Sequence, residues 1–506
     1  MLSPTRPALL LALAAYLVIC SAARAEDSND HFAPIREKIA SAIRDDNIPS
    51  IAVAVAKDGK IIWEEGFGLA DREKRTPATE HTMYSVASVS KPVTATGLMV
   101  LVERGKVDLD KPIDEYLGEV KLRALVGNAA EATVRRVANH TAGLPLHYQF
   151  FYEGEPYGRP SFAESIRRYG TLVTAPGERY QYANFGYGLL DYVITQVSGK
   201  PYANFMREEV FLPLGMTHTS IDVGPGLEAH QAIRYTPEGK RIPFYTFDHP
   251  GASAVYSSAH DLVRFAMFHM KEHLADQKQI LKDESLDEMQ RNTALKNEKD
   301  GYGIGWGTAT DDRGYDYIQH TGGMPGVATT VRFLPSERLA IVSLANSRSP
   351  LAYRLPDLIS EVLLTKKDPK HKDVSEYVVP LPSGKSDKEK PADSSVKELE
   401  GTWRGKLVTY QGEAPLRIVV QPDGDVHVRV GDQLETLLSN ATFQNGFLRG
   451  RFAGKVPFDD NRGRDYQVQF ELKLRDGVLN GSATTQTLAD AWGSNAVTHW
   501  AEVKKQ

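Results

Sequence analysis

Cysteine is nearly absent: the 506 residues contain one, Cys20, and it falls inside an amino-terminal stretch that reads as a removable leader. The mature chain is therefore expected to have no disulfide framework, no thiol nucleophile and no cysteine-ligated metal. Long apolar runs are also missing. Beyond the leader nothing approaches the roughly 20 apolar residues that a membrane-crossing helix requires, so no transmembrane segment is expected in the mature chain. Basic blocks are absent as well. The formal net charge is -5, and removal of Arg6 and Arg24 with the leader takes it to -7, without a lysine or arginine cluster that would suit nucleic acid. Of the 14 histidines none falls in a His-x-His-x-Asp or His-Glu-x-x-His spacing, which disfavours a metallohydrolase and leaves no metal or other cofactor expected.

What is present is ordinary globular material, 41% hydrophobic and 25% charged, in a chain long enough for two or more domains with real cores. Residues 1–25 combine a positive start at Arg6, an apolar run from Ala8 to Ile19 and a small-x-small site at Ala23-Arg24-Ala25, the pattern of a cleaved signal peptide that predicts a periplasmic or secreted protein. Residues 26–365 form the main domain. Residues 366–398 shift to Lys, Asp, Pro and Ser and read as a linker. Residues 399–506 carry about eight alternating segments, opened by Gly401-Thr402-Trp403 and with Trp500 near the close, which predicts an antiparallel barrel.

Inside the main domain, Ser50 to Lys57 and Lys60 to Gly68 flank Asp58-Gly59 as a hairpin. Residues from Asp108 to Pro250 read mostly as short helices and loops. Ser257-Ser258 caps a helix through Lys271, and strands return at Gly303 to Gly307, Tyr317 to His320, Gly326 to Leu334 and Leu339 to Asn346, before a helix from Leu351 to Leu364. The expected fold class is α/β: an antiparallel sheet flanked by helices, with an inserted helical subdomain, followed by an all-β barrel.

Ser88 and Lys91 stand three apart at a helix start that runs to the stop signal at Gly105, so their side chains share one face. An amine kept neutral by burial or by nearby positive charge can take the hydroxyl proton, which makes Ser88 a candidate nucleophile. Pro92 sits in the first turn, where its missing amide hydrogen costs little. A second Ser-x-x-Lys, Ser394 to Lys397, lies in a polar proline-flanked tract and reads as accidental. Tyr182 and Asn184 follow a Pro-Gly turn, where the phenol can relay protons beside Lys91 and the amide can hold a substrate. Tyr202-Ala203-Asn204 repeats those letters but reads as a helix start. His320-Thr321-Gly322-Gly323 ends a strand with room for a substrate backbone alongside and for the Gly323 amide to face a carbonyl. His140-Thr141-Ala142-Gly143 reads as a structural turn.

In that order, Ser88-x-x-Lys91, Tyr182-x-Asn184 and His320-Thr321-Gly322 resemble the motifs of the penicillin-recognising serine hydrolases, in the branch holding class C β-lactamases, D-Ala-D-Ala carboxypeptidases, D-aminopeptidases and related esterases. His140 to Leu144 and Pro213-Leu214-Gly215-Met216 are further phrases similar to that family. The resemblance spans about residues 35–364 and implies a β-lactamase/transpeptidase-like fold; beyond it the barrel is similar only to a lipocalin. It implies an acyl-enzyme on Ser88, with Lys91 or Tyr182 as base, Asn184, His320, Thr321 and Gly322 as substrate-binding residues, and the backbone amides of Ser88 and Gly323 as the oxyanion hole. His320 stands where most β-lactamases resemble one another in carrying lysine. A histidine near its ordinary pKa of about 6.5 is mostly neutral at physiological pH, so the chain resembles the carboxypeptidase, D-aminopeptidase and esterase members more than an efficient β-lactam hydrolase. The expected activity is a peptidase or amidase on small or D-amino-acid-containing peptides. The alternatives are a carboxylesterase on short acyl esters and a penicillin-binding sensor or pseudoenzyme without turnover. Oligomeric state is left open.

Overall fold

The strand Ser50–Lys57 shows how one apolar run serves two cores. Side chains alternate along a strand: Ile51, Val53 and Val55 pack with residues of the helices Ala33–Asp45 and Pro350–Leu363, whereas Ala52, Ala54 and Ala56 belong to the core on the opposite face. Methyl side chains on that second face let the helix Ala259–His269 pack directly over the strand. The computed structural model describes residues 30–297, 299–365, 395–460, 462–488 and 495–506; the expected leader and positions 366–394 of the expected linker lie outside them.

Ser50–Lys57 is one of nine strands in an antiparallel sheet. Their order is Ala294–Leu295, Gly301–Tyr302, Gly307–Thr310, Asp316–Met324, Val327–Leu334, Leu339–Ala345, Ser50–Lys57, Lys60–Asp71 and Thr76–Pro77. Helices cover both faces, and the stretch between the second group of strands and the first supplies the helix Asn184–Ser198, closed by Gly199 in the left-handed conformation at φ 69°. This is the expected α/β arrangement with its helical insertion.

Three local expectations change. Gly303 to Gly307 is not one strand: Gly301–Tyr302 and Gly307–Thr310 are separate, and between them Gly305 at φ 86° lies against Pro92 and Ala95, where a Cβ would come within 2.8 Å of the Pro92 Cα. Close approach to the helix Ser90–Glu103 overrides extension there. The strand bearing His320 continues to Met324 rather than ending at the glycines. The helix capped by the Ser258 side chain ends at His269, because Lys271 already turns left-handed at φ 63°.

Among the described residues the carboxy-terminal unit has nine strands, one more than expected, in the order Thr436–Leu437, Val426–Val430, Gly412–Val420, Gly401–Thr409, Ala496–Lys505, Val478–Thr487, Tyr466–Arg475, Phe447–Phe452 and Ser439–Gln444. The two ends of that order are neighbours in the chain, joined by Leu438, so the sheet wraps into a nearly closed barrel. Leu416, Ile418, Val428, Leu448, Phe470 and Leu472 are fully buried in its apolar core.

Burial strips charge from several histidines. His269, His320 and His499 are each held down at about 3 by desolvation. Unfolding would let them bind a proton near pH 6.5, so the unfolded state holds more protons than the folded state between about pH 6.5 and 3, and stability falls as pH drops through that window. His269 packs among Phe265, Trp306 and Phe333, so His269→Phe is expected to remove up to about 1.4 kcal/mol per pH unit from this slope. Urea unfolding at pH 7, 6 and 5 measures it; parallel pH dependences for wild type and variant would refute a neutral buried His269.

Candidate active site

Ser88 lies in a single 3-10 turn, Ala87–Val89, that leads directly into the helix Ser90–Glu103. Ala87, just before it, is left-handed at φ 48°, an uncommon conformation for a residue with a side chain and of the kind found at functional sites. The turn is pressed against the neighbouring sheet. The Thr329 hydroxyl donates to Val86 O at 2.9 Å, and a Cβ on Gly322 would overlap Val86 O and the Thr329 Oγ1. Only glycine at 322 lets the strand Asp316–Met324 come this close.

Lys91 is fully buried, and no acidic residue pairs with it among the described residues. Its Nζ has three hydrogen-bond partners: Ser88 Oγ at 3.1 Å, Asn184 Oδ1 at 2.8 Å and Ala252 O at 3.1 Å. Desolvation pushes its pKa well below the ordinary lysine value. A neutral amine has two N–H groups and one lone pair. Asn184 Oδ1 and Ala252 O can only accept, so they take the two hydrogens, and the lone pair is left for the Ser88 O–H.

Tyr182 covers this amine, its ring centroid 4.7 Å from Lys91 Nζ. Its phenol is pushed above the usual value by burial, with the Ser88 hydroxyl acting in the opposite sense. Burial disfavours the ammonium form of Lys91, the form that would depress the phenol. The Tyr182 ring rests on His140, 4.4 Å away, and the His140 Nδ1 accepts the Ala183 N–H at 3.1 Å. The His140 turn is thus structural, as its sequence context suggested.

His320 departs from the expectation of an ordinary titrating imidazole. Its Nδ1 donates to Thr321 O at 2.8 Å and its Nε2 accepts from the Tyr302 hydroxyl at 2.9 Å. Both nitrogens are occupied in the neutral form, and burial holds the pKa at about 3. Tyr302 was not among the sequence candidates; nothing in Gly301-Tyr302-Gly303 marks it before the sheet register is known.

The strand edge completes the site. Within the strand Asp316–Met324, Gly307–Thr310 pairs with Asp316 to Gln319 alone, so from His320 to Met324 that side of the strand has no strand partner among the described residues. Thr321 and Gly323 are exposed and Gly322 is buried. Ser88, Tyr182 and Gly323 line both lobes of one cleft. One lobe carries Lys296, Tyr302 and His320; the larger carries Asn184 and an aromatic wall of Tyr148, Phe150 and Phe247. Of the sequence-selected residues, Ser88, Tyr182, Asn184, His320, Thr321 and Gly323 line this cleft, Lys91 lies buried behind Ser88 and Asn184, and Gly322 packs against Val86. Among the described residues one group, His147, Asp248 and His249, has ligand atoms close enough to hold a metal ion. His147 and His249 donate to Asp248 at 2.8 and 2.6 Å and Ser165 donates at 2.8 Å, so the carboxylate is satisfied by hydrogen bonds alone.

Such a turn, buried amine and strand edge define a serine hydrolase of the β-lactamase and penicillin-binding type. The profile of the Beta-lactamase family matches residues 35–365, and the chain belongs to that family. It is 25% identical over 467 residues to Penicillin-binding protein 4* of Bacillus subtilis, covering 86% of this chain and 94% of that protein. It is 24% identical over 348 residues to protein flp of Staphylococcus aureus, covering 67% of this chain and 68% of that protein. Among solved structures, the octameric penicillin-binding protein homologue from Pyrococcus abyssi shares the fold at TM-score 0.55 and 22% identity, covering 94% of this chain and all of that one (100%). D-alanine carboxypeptidase AmpC from Burkholderia cenocepacia shares it at TM-score 0.56 and 23% identity, covering 67% of this chain and 99% of that one. No helix among the described residues is long and apolar enough to cross a membrane.

A buried neutral lysine weakens the fold at neutral pH, since the unfolded chain binds the proton that the folded state refuses. Stability from this group therefore rises with pH up to the unfolded value near 10.4. Lys91→Met is expected to slow acylation of Ser88 by about 10²–10⁴-fold and to differ from wild type in a pH-dependent way: its melting temperature relative to wild type is highest near pH 7 and declines toward pH 10. Paired melting curves with equal pH dependence would contradict a neutral Lys91.

Proposed function

We propose that this protein is an acyl-transferring serine amidase or peptidase acting on small peptides, D-amino-acid-containing ones included. The observation that carries the reading is the allocation of hydrogen bonds around Lys91, which leaves its lone pair for the Ser88 proton. In the reaction, Ser88 Oγ attacks the carbonyl carbon as its proton passes to Lys91 Nζ. The oxyanion is held by the backbone amides of Ser88 and Gly323, each worth about 3 kcal/mol to the transition state. Tyr182, between Lys91 and the cleft, relays that proton to the departing amine, and the acyl-enzyme is released by water. Asn184 has no described partner other than Lys91, so its amide nitrogen remains for a substrate carbonyl. The free edge at Thr321 and Gly323 suits an extended peptide, which adds to a sheet through main-chain hydrogen bonds. The D-alanine carboxypeptidase named among the similar structures supports the same substrate class.

A second reading, a carboxylesterase on short acyl esters, is favoured by the apolar wall of Tyr148, Phe150, Ile242 and Phe247 in the larger lobe. Export follows only from the leader-like residues 1–25, and it is part of the proposal.

Intact-mass analysis after a fluorophosphonate or a penicillin tests the nucleophile. A single adduct is expected on wild type and none on Ser88→Ala; an unlabelled wild type would refute the acyl-enzyme. Turnover of D-Ala-D-Ala peptides against a p-nitrophenyl ester panel then separates amidase from esterase, and labelling without turnover of either points to a penicillin-binding sensor. Because His320 is neutral down to about pH 3, kcat/KM for a carboxylate-bearing peptide and a matched neutral ester should show no histidine inflection that differs between them from pH 5 to 8. A fall confined to the carboxylate substrate would restore His320 as its cationic partner.

A further inference from the structure

The loop that carries Tyr182 is gripped from two sides. On the inner side Gly177 N donates to Thr141 O at 2.7 Å and Gln181 N to His140 O at 2.8 Å. On the outer side it meets the barrel strand Tyr466–Arg475, whose alternate residues Glu471, Lys473 and Arg475 project to the same face. Arg475 reaches both oxygens of Glu178, at 2.9 and 2.7 Å, and Lys473 adds a contact at 3.1 Å. Glu471 receives both Nη groups of Arg179, at 2.9 and 2.7 Å, and the Arg449 Nε at 2.8 Å. The charges alternate in complementary order: acid 178 against bases 473 and 475, base 179 against acid 471. The four principal side chains retain only 16 to 23% of their surface, so solvent screens these pairs less than exposed ones.

Arg179 also continues inward. Its Nη2 donates to Gln181 Oε1 at 3.1 Å, and the guanidinium lies 4.7 Å over the Phe447 ring of the barrel. Gln181 is the residue before Tyr182. A planar fork that binds a carboxylate at both oxygens, stacks on a ring and reaches an amide is work for arginine in particular.

We propose that the barrel is a positioning device for the Tyr182 loop: the Glu178–Arg475 and Arg179–Glu471 pairs hold Tyr182 over Lys91 and Ser88, and these four are positioning residues for acyl transfer. The proposal rests on the reading of Ser88 as nucleophile only in its kinetic consequence; the restraint on the loop stands apart from it.

The test uses the full-length chain with Arg179→Gln, Glu471→Gln, the double variant and Arg179→Lys. Hydrogen exchange of amides 177–183 reads the restraint, and the rate of Ser88 acylation by a fluorescent penicillin reads its consequence. Each single change to Gln is expected to speed exchange in this loop about tenfold and to slow acylation about tenfold, as small misplacements do. Ester kcat falls with KM nearly constant. The double variant should equal the worse single, because both break one contact, and Arg179→Lys should recover part of the rate. Unchanged loop exchange in both singles, with or without a lower melting temperature, overturns the proposal, as does a double variant whose losses multiply. Should wild type not be acylated at all, the nucleophile reading fails, and loop exchange alone decides: faster in the singles supports the clamp, unchanged refutes it.

Discussion

An uncompensated buried amine is the constraint around which this site is built. Placing Lys91 in a dry pocket without a carboxylate costs stability, and the surroundings tolerate it only as the free base. Its three oxygen partners would serve either form, and it is burial without a counter-ion that favours the free base. Everything nearby keeps the pocket dry and the lone pair aimed: the Tyr182 and Tyr187 rings within 4.7 and 5.7 Å of Nζ, and the Ala252 carbonyl supplied by the short helix Pro250–Ser253. A carboxylate at Asn184 would make a salt bridge and keep the proton on nitrogen, so the neutral amide there goes with a free amine.

Orientation of Ser88 has a separate cost, carried by the backbone. Ala87 takes a left-handed conformation at φ 48°, and the strand with Gly322 closes on it so tightly that no Cβ fits. Strain before the nucleophile persists because the sheet holds it in place. The sheet register sets Gly322 against Val86, and that contact holds the turn on which Ser88 stands.

Much of this was legible in the letters because the chemistry is local where it matters most. Ser88 and Lys91 are three apart on one turn, and the alternation of Ser50 to Lys57 is a period that any reader can count. What the letters did not carry is environment. His320 could be placed on a strand, but its pKa of about 3 depends on burial and on Tyr302, a residue brought to it across the sheet. Gly305 reads as extended because its tight partner, the Pro92 backbone, is over 200 residues away in the chain, and Gly303 because the Met289 and Arg291 carbonyls that it meets lie outside its own run. The letters left Lys91 and Tyr182 both open as the base for the same reason: both choices produce one motif, and they differ in what burial does to each group. The barrel's outer contacts were invisible too, since Glu178 and Arg179 look like any solvated pair until Glu471 and Arg475 face them.

Neutral His320 has a consequence for selection of substrates. With neither ring nitrogen free and no charge on the imidazole, the strand edge offers main-chain hydrogen bonds but no cation at this position. Under the proposed reading, the fit of the cleft walls, with Lys296 in one lobe and Arg348 in the other, is what remains to recognise the acyl and leaving groups. Two parts of those walls are the segment of Tyr148 and Phe150, which opens the short strand Phe150–Tyr152, and the loop of Tyr180 and Tyr182. Both are tied to the barrel, the first through paired main-chain bonds between Tyr148 and Ala496 at 2.9 Å and through Asn495 Oδ1 on the Phe150 N–H at 2.9 Å. Loops are otherwise the least restrained parts of a domain. A barrel whose interior is filled by its own side chains can act only through its outer wall, and here that wall holds two segments that line the cleft.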